Sequence, residues 1–131
     1  MKCEECYVEM VEFEIPEIIK RMGNEFERYI SICPVCFEFS QKKVGGGITD
    51  LDGMGDLLPN GEIGKIMSIG IALLLESIVM NKKIVLSIFE YVINEGRDPW
   101  IVLENLSDST ENKDLSKKID KAIIQLEQLV E

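Results

Sequence analysis

The chain has 131 residues, a length that supports one domain, or one domain with a small appended module, and leaves little room for two. Asp and Glu total 24 against 14 Lys and Arg, and the resulting net charge of −10 has the wrong sign for a protein that grips nucleic acid through its phosphates. Histidine is absent, which removes Ser-His-Asp and Cys-His catalysis, histidine-ligated zinc and the usual near-neutral proton shuttle, and leaves mainly cysteine and carboxylate chemistry.

The chain opens Met1-Lys2-Cys3-Glu4-Glu5-Cys6. No apolar run follows the basic residue, so the pattern of a secretory signal peptide is missing and a cytoplasmic location is expected. Val11, Phe13 and Ile15 alternate with Glu12 and Glu14, the period of a strand with one buried face. Val8 and Met10 fall on the opposite parity, so a bulge near Met10 is expected if both sets lie inside. Pro16 suits the first position of a short helix through about Met22, with Gly23 ending it. A second strand is expected over Arg28 to Ile32 and a third over Phe37 to Ser40.

All 4 cysteines fall in two C-x-x-C pairs, Cys3-Glu4-Glu5-Cys6 and Cys33-Pro34-Val35-Cys36. A two-residue spacer lets one tight turn aim two sulfurs at the same ion, and two such turns supply the four tetrahedral ligands that zinc takes in structural sites. A strand after the first turn and another before the second would bring the pairs together, as in a zinc ribbon. In a reducing compartment such pairs read as thiolate ligands or a redox dithiol rather than as a disulfide framework. The second pair also fits a rubredoxin-like iron knuckle. Against iron, Tyr7 and Phe37 stand where a glycine commonly lets such a turn adopt positive φ. With four thiolates in place, no position stays open for water or substrate, which argues against catalytic zinc. Loading a divalent ion on four thiolates takes the net charge from −10 to about −12. Glu4, Glu5, Glu9, Glu12 and Glu14 lie nearby in sequence, while Arg21, Arg28, Lys42 and Lys43 are too scattered to form a basic surface.

A turn-rich segment from Val44-Gly45-Gly46-Gly47 to Pro59-Asn60-Gly61 separates this part from the rest. Within it, Asp50-Leu51-Asp52-Gly53-Met54-Gly55-Asp56 resembles the start of a calcium loop, but Met54 and Gly61 stand where ligands are required, and a plain turn is the better reading. Gly61-Glu62-Ile63-Gly64-Lys65 fails as a phosphate loop, because Pro59 takes the first glycine position and Ile66 replaces the magnesium-binding Ser or Thr.

Four helices are expected beyond, at about 62 to 80, 83 to 95, 99 to 106 and 114 to 130. The first is apolar nearly all round. Its stretch from Ile63 to Met80 approaches membrane-spanning length, yet it contains Lys65 and Glu76 and is followed by Lys82 and Lys83, so a buried helix explains it better. Asn81 is expected to close it and to leave a short link to an antiparallel second helix. Glu76, if buried, would be a candidate functional group; the preferred reading turns it to solvent or toward Lys83. Gly96 closes the second helix, and Asp98-Pro99 supplies an N-cap followed by proline at the first helical position of the third. Trp100 could anchor a partner but more often such a residue packs the start of its own helix. Ser107 to Lys113 reads as a polar linker, and Leu115, Ile119, Ala122, Leu126 and Leu129 form the apolar stripe of the last helix, widened by Ile123 and Val130.

Cys3, Cys6, Cys33 and Cys36, together with the long apolar helix entered at Gly61-Glu62-Ile63-Gly64, carry a resemblance to a small archaeal family of uncharacterised proteins. Those proteins have two C-x-x-C knuckles and a helical C-terminal half. The resemblance implies a metal-binding module and no catalytic residue.

The expected fold is α+β, with a zinc-ribbon-like strand module over residues 1 to 43, a glycine-rich connector over 44 to 60 and a four-helix domain over 61 to 131. The expected function is that of a noncatalytic zinc protein with Cys3, Cys6, Cys33 and Cys36 as ligands, acting as a protein-interaction or adaptor module. The alternative is rubredoxin-like iron electron transfer or dithiol redox chemistry, and an enzyme using Asp50, Asp52, Asp56 or Glu76 ranks last. Neither nucleic acid nor a membrane is expected as a partner. The apolar supply of the helices suggests a homodimer through the helical half.

Overall fold

The computed structural model describes residues 2–23, 25–45, 58–59 and 61–129. The Asp50 to Asp56 loop, with Asp52 between, and Val130 lie outside the described residues. The chain is α+β: strand β1 (Val11–Glu14), helix α1 (Glu17–Lys20), strands β2 (Tyr29–Ile32) and β3 (Phe39–Lys42), then helices α2 (Glu62–Glu76), α3 (Ile78–Asn94), α4 (Pro99–Ser109) and α5 (Lys113–Leu129).

The strands form an antiparallel sheet in the order β1-β2-β3. Val11 pairs with Ile32 and Glu14 with Tyr29 on one side of β2, and Ile32 pairs with Phe39 and Tyr29 with Lys42 on the other. This register puts Val11, Phe13, Ile30 and Ile32 on one face, all buried, and Glu12, Glu14, Ser40 and Lys42 on the other. Two of those glutamates meet cations there: Lys42 Nζ lies 3.7 Å from Glu12 and Arg28 Nε 3.5 Å from Glu14. Arg28 and Lys42, two of the basic residues that look scattered in sequence, thus offset the acidity of β1.

Several boundaries differ from the expectation. The third strand starts at Phe39 rather than Phe37, because Phe37 is consumed by the turn that precedes it, with φ at +64°. Helix α1 spans only Glu17–Lys20, with Pro16 as its N-cap instead of its first residue. Val8 and Met10 are half-buried, and the regular pairing of β1 begins after them.

The largest correction concerns the break between the first two long helices. It falls at Ser77, not Asn81, because Ser77 is extended (φ −166°, ψ 109°) and its side chain accepts the Met80 N–H at 3.2 Å, starting α3. Asn81 sits inside α3 and reaches back, its Nδ2 donating to the Leu73 carbonyl at 2.8 Å and to Glu76 Oε1 at 3.1 Å. Asn81 therefore does cap the end of α2, but as a side chain from the next helix. Helix α4 runs on to Ser109, because Ser107 is buried and its hydroxyl meets Ser116 Oγ at 2.9 Å and Asp120 Oδ1 at 2.6 Å, tying α4 to α5. Asn112 then caps α5 by accepting the Asp114 and Leu115 N–H groups, each at 3.1 Å.

The expected corner between α3 and α4 is present. Gly96 adopts φ +87° and donates to the Ile93 carbonyl, and Asp98 accepts from the Trp100 and Ile101 N–H groups. Trp100 packs edge-on against Phe89 with ring centroids 5.4 Å apart, so it holds the start of its helix.

Helix α2 lies at the centre. Ten of its 15 residues are buried, including the unbroken run from Ile66 to Leu74, and α3 approaches it closely at Gly70, where an added Cβ would lie 2.9 Å from Ile88 Cγ2. The inner face of the sheet, α2, α3 and α5 share one continuous apolar core. Much of the apolar surface that suggests self-association is therefore covered within one chain. None of the described helices is long and apolar enough to cross a membrane.

Candidate metal centre

The two cysteine pairs sit on turns of the same design. In the first, the Cys3 N–H donates to the Val8 carbonyl at 2.9 Å and the Tyr7 N–H donates to the Cys3 carbonyl at 2.8 Å. In the second, the Cys33 N–H donates to Glu38 at 2.8 Å and the Phe37 N–H to Cys33 at 2.9 Å, with the same sequence offsets. Each turn closes through a residue of positive φ, +58° at Tyr7 and +64° at Phe37. That conformation costs a residue with a Cβ roughly 1–2 kcal/mol, and the repeated hydrogen bonds hold it. The bulk of Tyr7 and Phe37, which in the sequence weakens the match to a rubredoxin-like iron knuckle, does not prevent the positive-φ closure here.

Pairing in the sheet brings the turns together. The first turn is flanked by a bridge between Lys2 and Glu9 and leads into β1, while the second leaves the end of β2 at Ile32. Because β1 and β2 are antiparallel and Val11 faces Ile32, the start of one and the end of the other lie at the same edge. All four sulfurs consequently fall within 4.8 Å of one another. Cys3 and Cys33 are buried, Cys6 and Cys36 half-buried, and all four are free of disulfides. Cys3 Sγ and Cys36 Sγ stand 3.7 Å apart. A tetrahedral ion with sulfurs at about 2.3 Å separates them by about 3.8 Å, so this donor set fits a thiolate-bound metal.

Local charge shows the same organisation. Burial pushes the Cys3 thiol up, but N–H groups of Cys6 and Glu5 and the neighbouring sulfurs outweigh it and bring the thiol below its ordinary value. Burial raises Cys6 to about 11, with a contribution from negative charge at Cys33, and burial raises Cys36 as well. The Val35 N–H points at Cys33 Sγ at 3.4 Å, a donor suited to a thiolate. Four crowded sulfurs cannot all ionise without a cation between them, and a bound metal ion would supply that compensation.

Glu76 is exposed and is held by Asn81 rather than turned toward Lys83. It does not join the sulfur cluster, and the described residues contain no other grouping of acids or cysteines close enough to hold a metal. Sequence reasoning missed a groove of about 650 Å³ that runs between the cysteine turns and the helices. Cys6, Cys36 and Phe39 form one wall, with Leu75 and Glu76 of α2 and Leu115 of α5 on the other side. These residues come from four distant parts of the chain, and no local periodicity marks them.

No curated protein and no solved structure matches the chain. The model of the family of unknown function DUF6276 matches residues 2–130, which carry both cysteine turns and all the helices, and the chain belongs to that family.

Proposed function

We propose that this chain is a noncatalytic zinc protein whose metal-bearing strand module, within residues 1 to 43, acts as a protein-interaction or adaptor surface. The observation that carries the reading is the gathering of Cys3, Cys6, Cys33 and Cys36, from two separate turns, into one cluster within 4.8 Å. Zinc bound there would fasten the first turn, which has no full strand of its own, to the edge of the sheet. With four thiolates around it the ion has no open position, so the reading assigns it a structural role. The absence of histidine and the net charge of −10 favour a protein partner over a substrate or nucleic acid. A cytoplasmic, reducing setting belongs to the same reading, because it keeps four thiols available as ligands. An archaeal source rests on the resemblance alone.

A second reading, rubredoxin-like iron with electron transfer, is favoured by one observation: both turns repeat the same positive-φ closure. Elemental analysis of freshly isolated protein, with no metal added, separates the two. One zinc per chain with no freely titrating thiol supports the structural reading. Iron with visible absorbance and reversible reduction replaces it with electron transfer, and four titrating thiols without metal contradict both.

A further inference from the structure

The corner between α2 and α3 leaves two neighbouring apolar side chains in solvent, Val79 at 84% and Met80 at 85% exposure. Among the described residues they are the only adjacent pair of exposed large hydrophobics. Lys82 and Lys83 follow after Asn81, both exposed, so the corner is an apolar tip carrying two positive charges on a chain of net charge −10. The groove beside the cysteine turns has the complementary character. Leu75, Leu115 and Phe39 give it apolar surface, and Glu5, Glu38, Glu76 and Asp114 outnumber Lys118 as its charged lining. At about 650 Å³ it has the size of a pocket that encloses a drug-sized ligand, roughly 300–1,000 Å³.

We propose that the Val79-Met80-Lys82-Lys83 tip of one chain docks in the acidic groove of a second copy, and that the exchange is reciprocal. Geometry favours a twofold arrangement, because tip and groove adjoin in sequence and space. Glu76 lines the groove and lies one residue before the break at Ser77 that begins the tip. A twofold axis beside this corner sets each tip against the other chain's groove, the self-complementary contact that closes a dimer. Val79 and Met80 meet the apolar surface, while the lysine stems lie along it and their ammonium groups reach the carboxylates. Of α2 only the C-terminal end, at Leu75 and Glu76, takes part, since the run from Ile66 to Leu74 is covered within its own chain. The inference rests on the interaction-module reading above and names a second copy as one partner.

Sedimentation equilibrium of the full chain across a micromolar range, with metal content measured on the same samples, tests it. The expected mass is twice the 14.9 kDa of one chain. Lys82→Glu/Lys83→Glu and Glu38→Lys/Glu76→Lys should each weaken association by at least about tenfold, because tip and groove then carry like charge. An equimolar mixture of the two variants should associate again, since both reciprocal contacts regain opposite charges. Both lysines are exposed and make no ion pair among the described residues of their own chain, so the first variant should keep the parent's circular dichroism, which separates loss of the dimer from loss of fold. A mass that stays at 14.9 kDa, a dimer indifferent to both charge swaps, or a mixture that stays monomeric overturns the proposal. In those cases bound metal still supports the metal centre, whereas a dimer without metal contradicts the metal centre alone.

Discussion

Tyr7 and Phe37 occupy equivalent places in the two turns, with φ +58° and +64°, but their side chains differ in setting: Tyr7 is 80% exposed and Phe37 is 2% exposed. Positive φ disfavours both, yet only Phe37 gains burial in return. Tyr7→Gly should therefore raise stability by about 0.5–1 kcal/mol, the relief of the left-handed conformation less the added freedom of the unfolded chain. Phe37→Gly should lower it by about 2–4 kcal/mol through loss of a buried ring. Urea unfolding of the two variants checks the contrast, and equal effects would mean that the burial of Phe37 does not set the difference between them. The thiols add a pH dependence. Burial raises Cys6 from 9.0 to about 11 in the folded metal-free chain, and Cys36 moves the same way. Their contribution to stability is full below pH 9.0 and is lost as pH rises through about 11. Cys3 is lowered and works in the opposite direction, one group against two. The urea midpoint of the metal-free chain should fall between about pH 8 and pH 10.5 by more than that of the metal-loaded chain, whose thiolates are already deprotonated.

At the scale of elements, the cysteine turns and the α3–α4 corner were legible because their signals are local. A two-residue spacer, Gly96, and Asp98 before Pro99 each act within a few positions. The α2–α3 break was misplaced because Ile78, Val79 and Met80 continue the apolar run, while the residue that ends it, Ser77, acts through one hydroxyl. The groove was invisible because sheet pairing and helix packing assemble it from both halves of the chain. The close approach of α2 and α3 also lacks a sequence signature beyond Gly70 itself. Gly70→Ala should cost about 1–2 kcal/mol despite the better helix propensity of alanine, since the methyl would meet the Cγ2 methyl of buried Ile88 at 2.9 Å. Thermal unfolding measures this, and a stabilised variant would show that α3 can shift away without loss.

At the scale of the molecule, the cysteine cluster and the helical core sit in the chain by different means. The core shared by the sheet and α2, α3 and α5 rests on apolar burial, whereas the first cysteine turn closes on itself through the Lys2–Glu9 bridge and meets the second turn at the sulfur cluster. Cys33→Ser should therefore abolish metal binding and release the first turn while most helical signal persists in circular dichroism. Cooperative loss of all helix would show that the metal is needed by the whole fold. The central claim, that Cys3, Cys6, Cys33 and Cys36 together hold one ion, is tested most directly by X-ray absorption at the zinc edge of the isolated protein. The account predicts four sulfur neighbours at about 2.3 Å and no nitrogen or oxygen in the first shell. A shell containing oxygen or nitrogen, or protein carrying no metal at all, would contradict it.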